Sequence, residues 1–146
     1  MELTLVKPEP YRNINNARFV RGLLCSLRLQ DVVYLDVRGP HQQAFSLVAQ
    51  ELQVQKDTRT EATERMLRIF PDPITGEYRD LDSELLNLVR TGKVSLDRIP
   101  PTSAKFDFTV DTAHDELHRF KLSEQLLLGN LATIFMSFEG ATFRAD

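Results

Sequence analysis

The spacing of apolar residues changes period several times along the chain, and each change marks an element. Val20, Leu23, Leu24 and Leu27 recur at the i, i+3, i+4, i+7 interval of one helix face, while Arg18, Arg21, Cys25 and Arg28 fall on another. Asn15 or Asn16 supplies the cap, and Gly22 is the residue in this stretch that works against a helix. Val32 to Val37 is then a β-branched, nearly continuous apolar run, the pattern of a strand covered on both faces, and Gly39-Pro40 ends it. From His41 the helical interval returns in Ala44, Phe45, Val48 and Leu52. A short strand over residues 2–6, closed by Pro8 and Pro10, precedes all of these. The first part of the chain thus reads strand, helix, strand, helix, and a right-handed crossover would set the two strands parallel in one sheet.

Gln55 to Thr60 is polar and aperiodic, a candidate linker, and the stretch through Pro71-Asp72-Pro73-Ile74-Thr75-Gly76 reads as a helix passing into a hairpin. Leu81, Leu85, Leu88 and Val89 predict a helix capped by Asp80 or Asp82, with Gly92 as the left-handed residue that ends it. After Pro100-Pro101, the alternation of Phe106, Phe108 and Val110 with Lys105, Asp107 and Thr109 predicts a half-buried strand. Asp111 or Thr112 then caps a helix whose apolar side is Ala113, Leu117 and Phe120. Ser123 opens another, carrying Leu127, Leu131, Ile134, Phe135 and Phe138, although Thr133 to Phe138 is β-rich enough to form a strand instead. The expected fold is α/β or α+β, one domain over residues 1–146, with helices packed on a mixed sheet of about four to six strands.

Composition narrows the class without naming a function. Hydrophobic content of 42% with 27% charged residues is that of a globular chain, not a disordered one. A net charge of −3 lacks the basic footprint of a nucleic-acid binder. The single cysteine, Cys25, forms no internal disulfide, and the first residues lack the pattern of a secretory leader, so a cytoplasmic location is expected. The apolar-rich run from Leu126 to Phe138 is shorter than the ~20 residues of a membrane span, and no membrane association is expected.

Three groups of residues could carry chemistry. Asp111, His114, Asp115 and His118 lie at i, i+3, i+4 and i+7 on one helical stripe, and histidines at i, i+4 offer two convergent donors for zinc or another divalent metal. A metal-dependent hydrolase would normally place glutamate after the first histidine as general base, where this chain has the shorter Asp115. Asp36, Arg38 and His41 surround the end of the central strand and the start of a helix, the edge where open α/β sheets hold small anions. Arg18, Arg21 and Arg28, with Arg12 before them, put positive charge on the first helix with no acid nearby in sequence, a surface for an acidic partner or for phosphates. Cys25 has no histidine close by in sequence and reads as a structural thiol, and no Gly-x-Ser-x-Gly elbow is present.

Asp31 to Val37 with the helix from His41 resembles the central strand and following helix of STAS-type regulatory domains, small α/β modules that bind partner proteins. In those domains a serine or threonine phosphoacceptor opens the helix. Here Gly39-Pro40-His41-Gln42 stands in that place and Ser46 lies more than a turn further on, so neither phosphoregulation nor membership follows. The expected function is a non-catalytic protein–protein interaction or regulatory module that self-associates, without a cofactor. A metal site on the Asp111/His114/Asp115/His118 stripe is the alternative. Nucleic-acid binding through the arginines of the first helix ranks below both.

Overall fold

Helix α1 (Asn16–Leu29) is the element against which most of the others pack. The computed structural model describes residues 11, 16–36, 43–48, 51, 79–96, 103–138, 140 and 142–144. After α1 come β1 (Val32–Asp36), a helical stretch over residues 43–48, α2 (Arg79–Arg90), β2 (Val94–Leu96), β3 (Ser103–Phe106), α3 (Val110–Leu117), α4 (Leu122–Met136) and β4 (Thr142–Arg144). Helices α2, α3 and α4 all contact α1, and the result is a small α+β domain.

The predicted face of α1 is the buried one: Phe19, Val20, Leu23, Leu24 and Leu27 are all enclosed, with Phe45, Leu128, Leu131 and Phe135 closing the core around them. Gly22 belongs to this contact. A Cβ at that position would lie 2.8 Å from Cδ1 of Leu128 and 2.9 Å from Cζ of Phe120, so the glycine leaves room for these two side chains against α1. Asp31 then takes φ 66°, the left-handed conformation that turns the chain off the end of α1 directly into β1.

The sheet has the order β2-β3-β1-β4, and every described pairing in it is antiparallel. Tyr34 sits opposite Lys105 on one side and Phe143 on the other, so β1 is interior, as its apolar run predicts. Both edges of β1 are taken by antiparallel strands, so the strand expected over residues 2–6 is not its direct parallel neighbour. The sheet partners of β1 come from the C-terminal half of the chain, through β3 and β4, so no crossover between adjacent segments is required. The strand expected over residues 2–6 and the helix and hairpin expected across 55–78 lie outside the described residues.

Two further expectations change. Thr109 does not extend the strand through Phe108 and Val110: its Oγ1 accepts the amide of Thr112 at 3.1 Å and caps α3, which begins at Val110 and not after Asp111 or Thr112. A hydroxyl that satisfies a free helix amide outweighs three residues of alternation. Phe108 is buried all the same, stacked on Phe106 with ring centroids 5.3 Å apart. The β-rich stretch from Thr133 is helical as far as Met136, because Leu131, Ala132 and Phe135 extend the buried stripe that Leu127 and Leu128 begin. The Glu124 carboxylate accepts the Lys121 amide at 2.8 Å and anchors the start of α4. No helix among the described residues is long and apolar enough to cross a membrane.

Candidate functional site

The arginines of α1 do not form a free basic face. Arg21 donates from Nε to Glu84 at 2.9 Å and reaches Glu116 at 4.0 Å. Glu84 is 3% exposed, so its charge depends on that partner, whereas Arg21 keeps 28% of its side chain in solvent. Burial opposes the charge on Arg21, and the hydrogen bond and negative charge of Glu84 outweigh it, raising the guanidinium pKa. Arg28 donates to the carbonyl of Phe108 at 3.4 Å, and Arg18 lies 4.6 Å over the Tyr11 ring. Arg12 is outside the described residues.

Tyr11 is the hub on this side. The guanidiniums of Arg18 and Arg119 both stack on its ring, the latter at 4.1 Å, and the ring meets Phe120 edge-on at 5.2 Å. Its hydroxyl donates to Glu116, and its backbone amide donates to the Arg119 carbonyl at 2.7 Å. Burial raises the phenol pKa, with the Glu116 hydrogen bond and charge adding and Arg119 and Arg21 opposing. Glu116 therefore has Tyr11, Arg21 and Arg119 around it, the last at 3.8 Å.

This network forms one side of a cleft of about 220 Å³ between α1, α2 and α3. Arg21, Leu24 and Cys25 of α1 are its floor. Leu88 of α2, Lys93 and Phe108 add to the lining, and Thr112, Asp115, Glu116 and Arg119 complete it from α3 and its C-terminal end. Lys93 is fixed by the end of α2, where Gly92 at φ +78° donates to the Val89 carbonyl at 3.1 Å and Lys93 to the Leu88 carbonyl at 2.8 Å, the paired bonds of a Schellman turn. Cys25, expected toward the polar side of α1, is 5% exposed. Burial, reinforced by the charge on Glu116, pushes its thiol up to about 12, which keeps it protonated and weakly nucleophilic at neutral pH.

The Asp111, His114, Asp115, His118 stripe is built on α3 and the residue that caps it. All four side chains are exposed, and the two imidazoles stand 6.2 Å apart between ring centroids. Among the described residues no group of three or more His, Cys, Asp or Glu is placed to hold a metal ion. Asp115 turns instead toward the cleft. Asp36 is buried at the end of β1, while Arg38 and His41 lie outside the described residues, so their meeting is not described.

Sequence reasoning missed Glu84, Glu116, Arg119 and Lys93. Glu84 carried a signal, because it shares the apolar side of α2 with Leu88 one turn on, and a carboxylate there needs a buried cation.

A second surface stands out on α4. Its buried stripe is Leu127, Leu128, Leu131, Ala132 and Phe135, yet Leu122 and Leu126, one turn apart on the opposite side, are 70% and 63% exposed. The outward side continues through Asn130 and Thr133, and the one charged residue of the helix, Glu124, is buried. Compared with known protein families, curated proteins and solved structures, the chain matches none.

Proposed function

We propose that this chain is a non-catalytic protein-interaction module that pairs with a second copy of itself through the outward side of α4. The observation that carries this reading is a solvent-facing helix surface with two exposed leucines and no charge. A surface helix ordinarily puts charged residues opposite its buried stripe, and charge is depleted where a helix is covered by a partner. In a twofold pairing each side chain meets its own copy or a near neighbour, so an uncharged face avoids like-charge repulsion.

Gly129 supports the same reading. It lies inside α4, where glycine costs about 1 kcal/mol relative to alanine. A Cβ there would meet nothing within 4 Å, so packing inside the chain does not require a glycine. A bare backbone next to Leu126 lets a second helix come close.

Sedimentation velocity on the full chain and on a Leu122→Lys/Leu126→Lys variant tests the proposal. The unmodified chain sediments as a dimer and the variant as a monomer with an unchanged circular dichroism spectrum. Equal monomeric sedimentation of both would refute it.

A further inference from the structure

The cleft between α1, α2 and α3 is a separate surface from the α4 face, and its charges leave a residue after internal pairing. Arg21, Arg119, Glu84 and Glu116 satisfy one another and together are neutral. Lys93, after the end of α2, and Asp115 of α3 also line the cleft but stand outside that network, both exposed and with no side-chain partner among the described residues. Between them Leu24, Leu88 and Phe108 give an apolar interior.

Each simple ligand class meets an opposing charge here. An anion drawn to Lys93 faces Asp115 and Glu116, and a cation drawn to Asp115 faces Lys93 and Arg119. A molecule with both charges satisfies both Lys93 and Asp115, each through a charge-assisted hydrogen bond. The volume of about 220 Å³ lies below the ~300 Å³ at which drug-sized pockets begin, which limits the ligand to a compact one. We infer that the cleft binds a small zwitterion, an amino carboxylate with a compact apolar body, its carboxylate on Lys93 and its ammonium on Asp115. The backbone bonds around Gly92 and the Tyr11–Glu116–Arg119 network hold the segments that carry Lys93 and Asp115 in place before the ligand arrives.

Calorimetric titration of the full chain near neutral pH uses leucine as the zwitterion, leucinamide as the cation without a carboxylate, and N-acetylleucine as the anion without an ammonium. Another probe, 6-aminohexanoate, carries the same two charges further apart. A zwitterion binds at least about tenfold tighter than either singly charged analogue, the scale of one lost charged hydrogen bond. Lys93→Met removes the advantage over leucinamide, and Asp115→Asn removes the advantage over N-acetylleucine. Both positions are exposed, so the variants keep the fold, which their melting temperatures verify. The inference is overturned if neither zwitterion binds, if the singly charged analogues bind as well, or if both variants leave the affinities unchanged.

Discussion

Helices α1 and α4 meet at Gly22, and away from that contact they handle polarity in opposite ways. The arginine side of α1 has the composition of a docking surface, but Glu84, Glu116, Tyr11 and the Phe108 carbonyl occupy its guanidiniums from within the fold. Helix α4 has the composition of a core element, yet it turns leucines outward and buries its one charge. A cluster of charge thus marks internal wiring on one helix, and a lack of charge marks the candidate interface on the other. Composition alone points to α1, whose guanidiniums are already engaged within the fold.

Raising the pH gives the largest expected effect on the α1 side. The Cys25 thiol has a folded pKa of about 12 against an ordinary 9.0, and the Tyr11 pKa is raised as well. Both groups ionise more readily in the unfolded chain. The stability they confer is complete below pH 9.0 and is lost as pH rises toward 12. The Cys25 share is on the order of 4 kcal/mol by the top of that range. Urea titrations from pH 8 to pH 12 should show this decline, and Cys25→Ala should flatten most of it; equal slopes in both proteins would contradict the burial of the thiol.

Removing the charge partner comes next. Arg21→Ala leaves the Glu84 carboxylate enclosed without its cation and should cost about 3 kcal/mol, moderated by the solvent that already reaches Arg21. In a double-mutant cycle of Arg21→Met and Glu84→Leu, the double variant should lose much less than the sum of the two single variants. If the two changes are simply additive, the pair is not coupled and the arginine side is freer than described. Smaller again is Gly22→Ala, which forces Phe120 and Leu128 apart. Overpacking of about 1–3 kcal/mol outweighs the gain of about 1 kcal/mol in helix propensity, so a lowered melting temperature is expected and a raised one would show that α1 and α4 are further apart.

Gly129→Ala sharpens the contrast from the α4 side. With open space where its methyl would go, the substitution should stabilise the dissociated chain by about 1 kcal/mol while weakening dimerisation. Melting curves at low and high protein concentration separate the two effects. A gain of equal size at both concentrations would mean that nothing packs against that position. His114→Ala with His118→Ala should alter stability by less than about 0.5 kcal/mol, since both rings are exposed. A larger loss in thermal melting would show that the stripe does structural work.

Periodicity made much of the scaffold readable. The buried residues of α1, the interior position of β1, the turn at Gly92 and the core side of α3 follow from apolar spacing and from the few residues that end elements. Sheet direction was not readable, because the strands paired with β1 come from far along the chain and no local pattern encodes a partner. The Thr109 cap was hidden by an alternation that is genuine in composition but loses to one satisfied amide. The cleft was hidden for a related reason: Lys93, Asp115 and Arg21 lie on three helices or their ends, and only tertiary packing brings them around one space. Most of the histidine stripe was visible at once, and visibility in sequence did not give it an enclosed geometry.

The proposal that α4 is the interface is tested most directly by a native mass measurement of the 146-residue chain across a range of micromolar concentrations. The account predicts a species of twice the chain mass that grows with concentration and disappears when Leu126 is replaced by lysine. A single species of one chain mass at every concentration would contradict it.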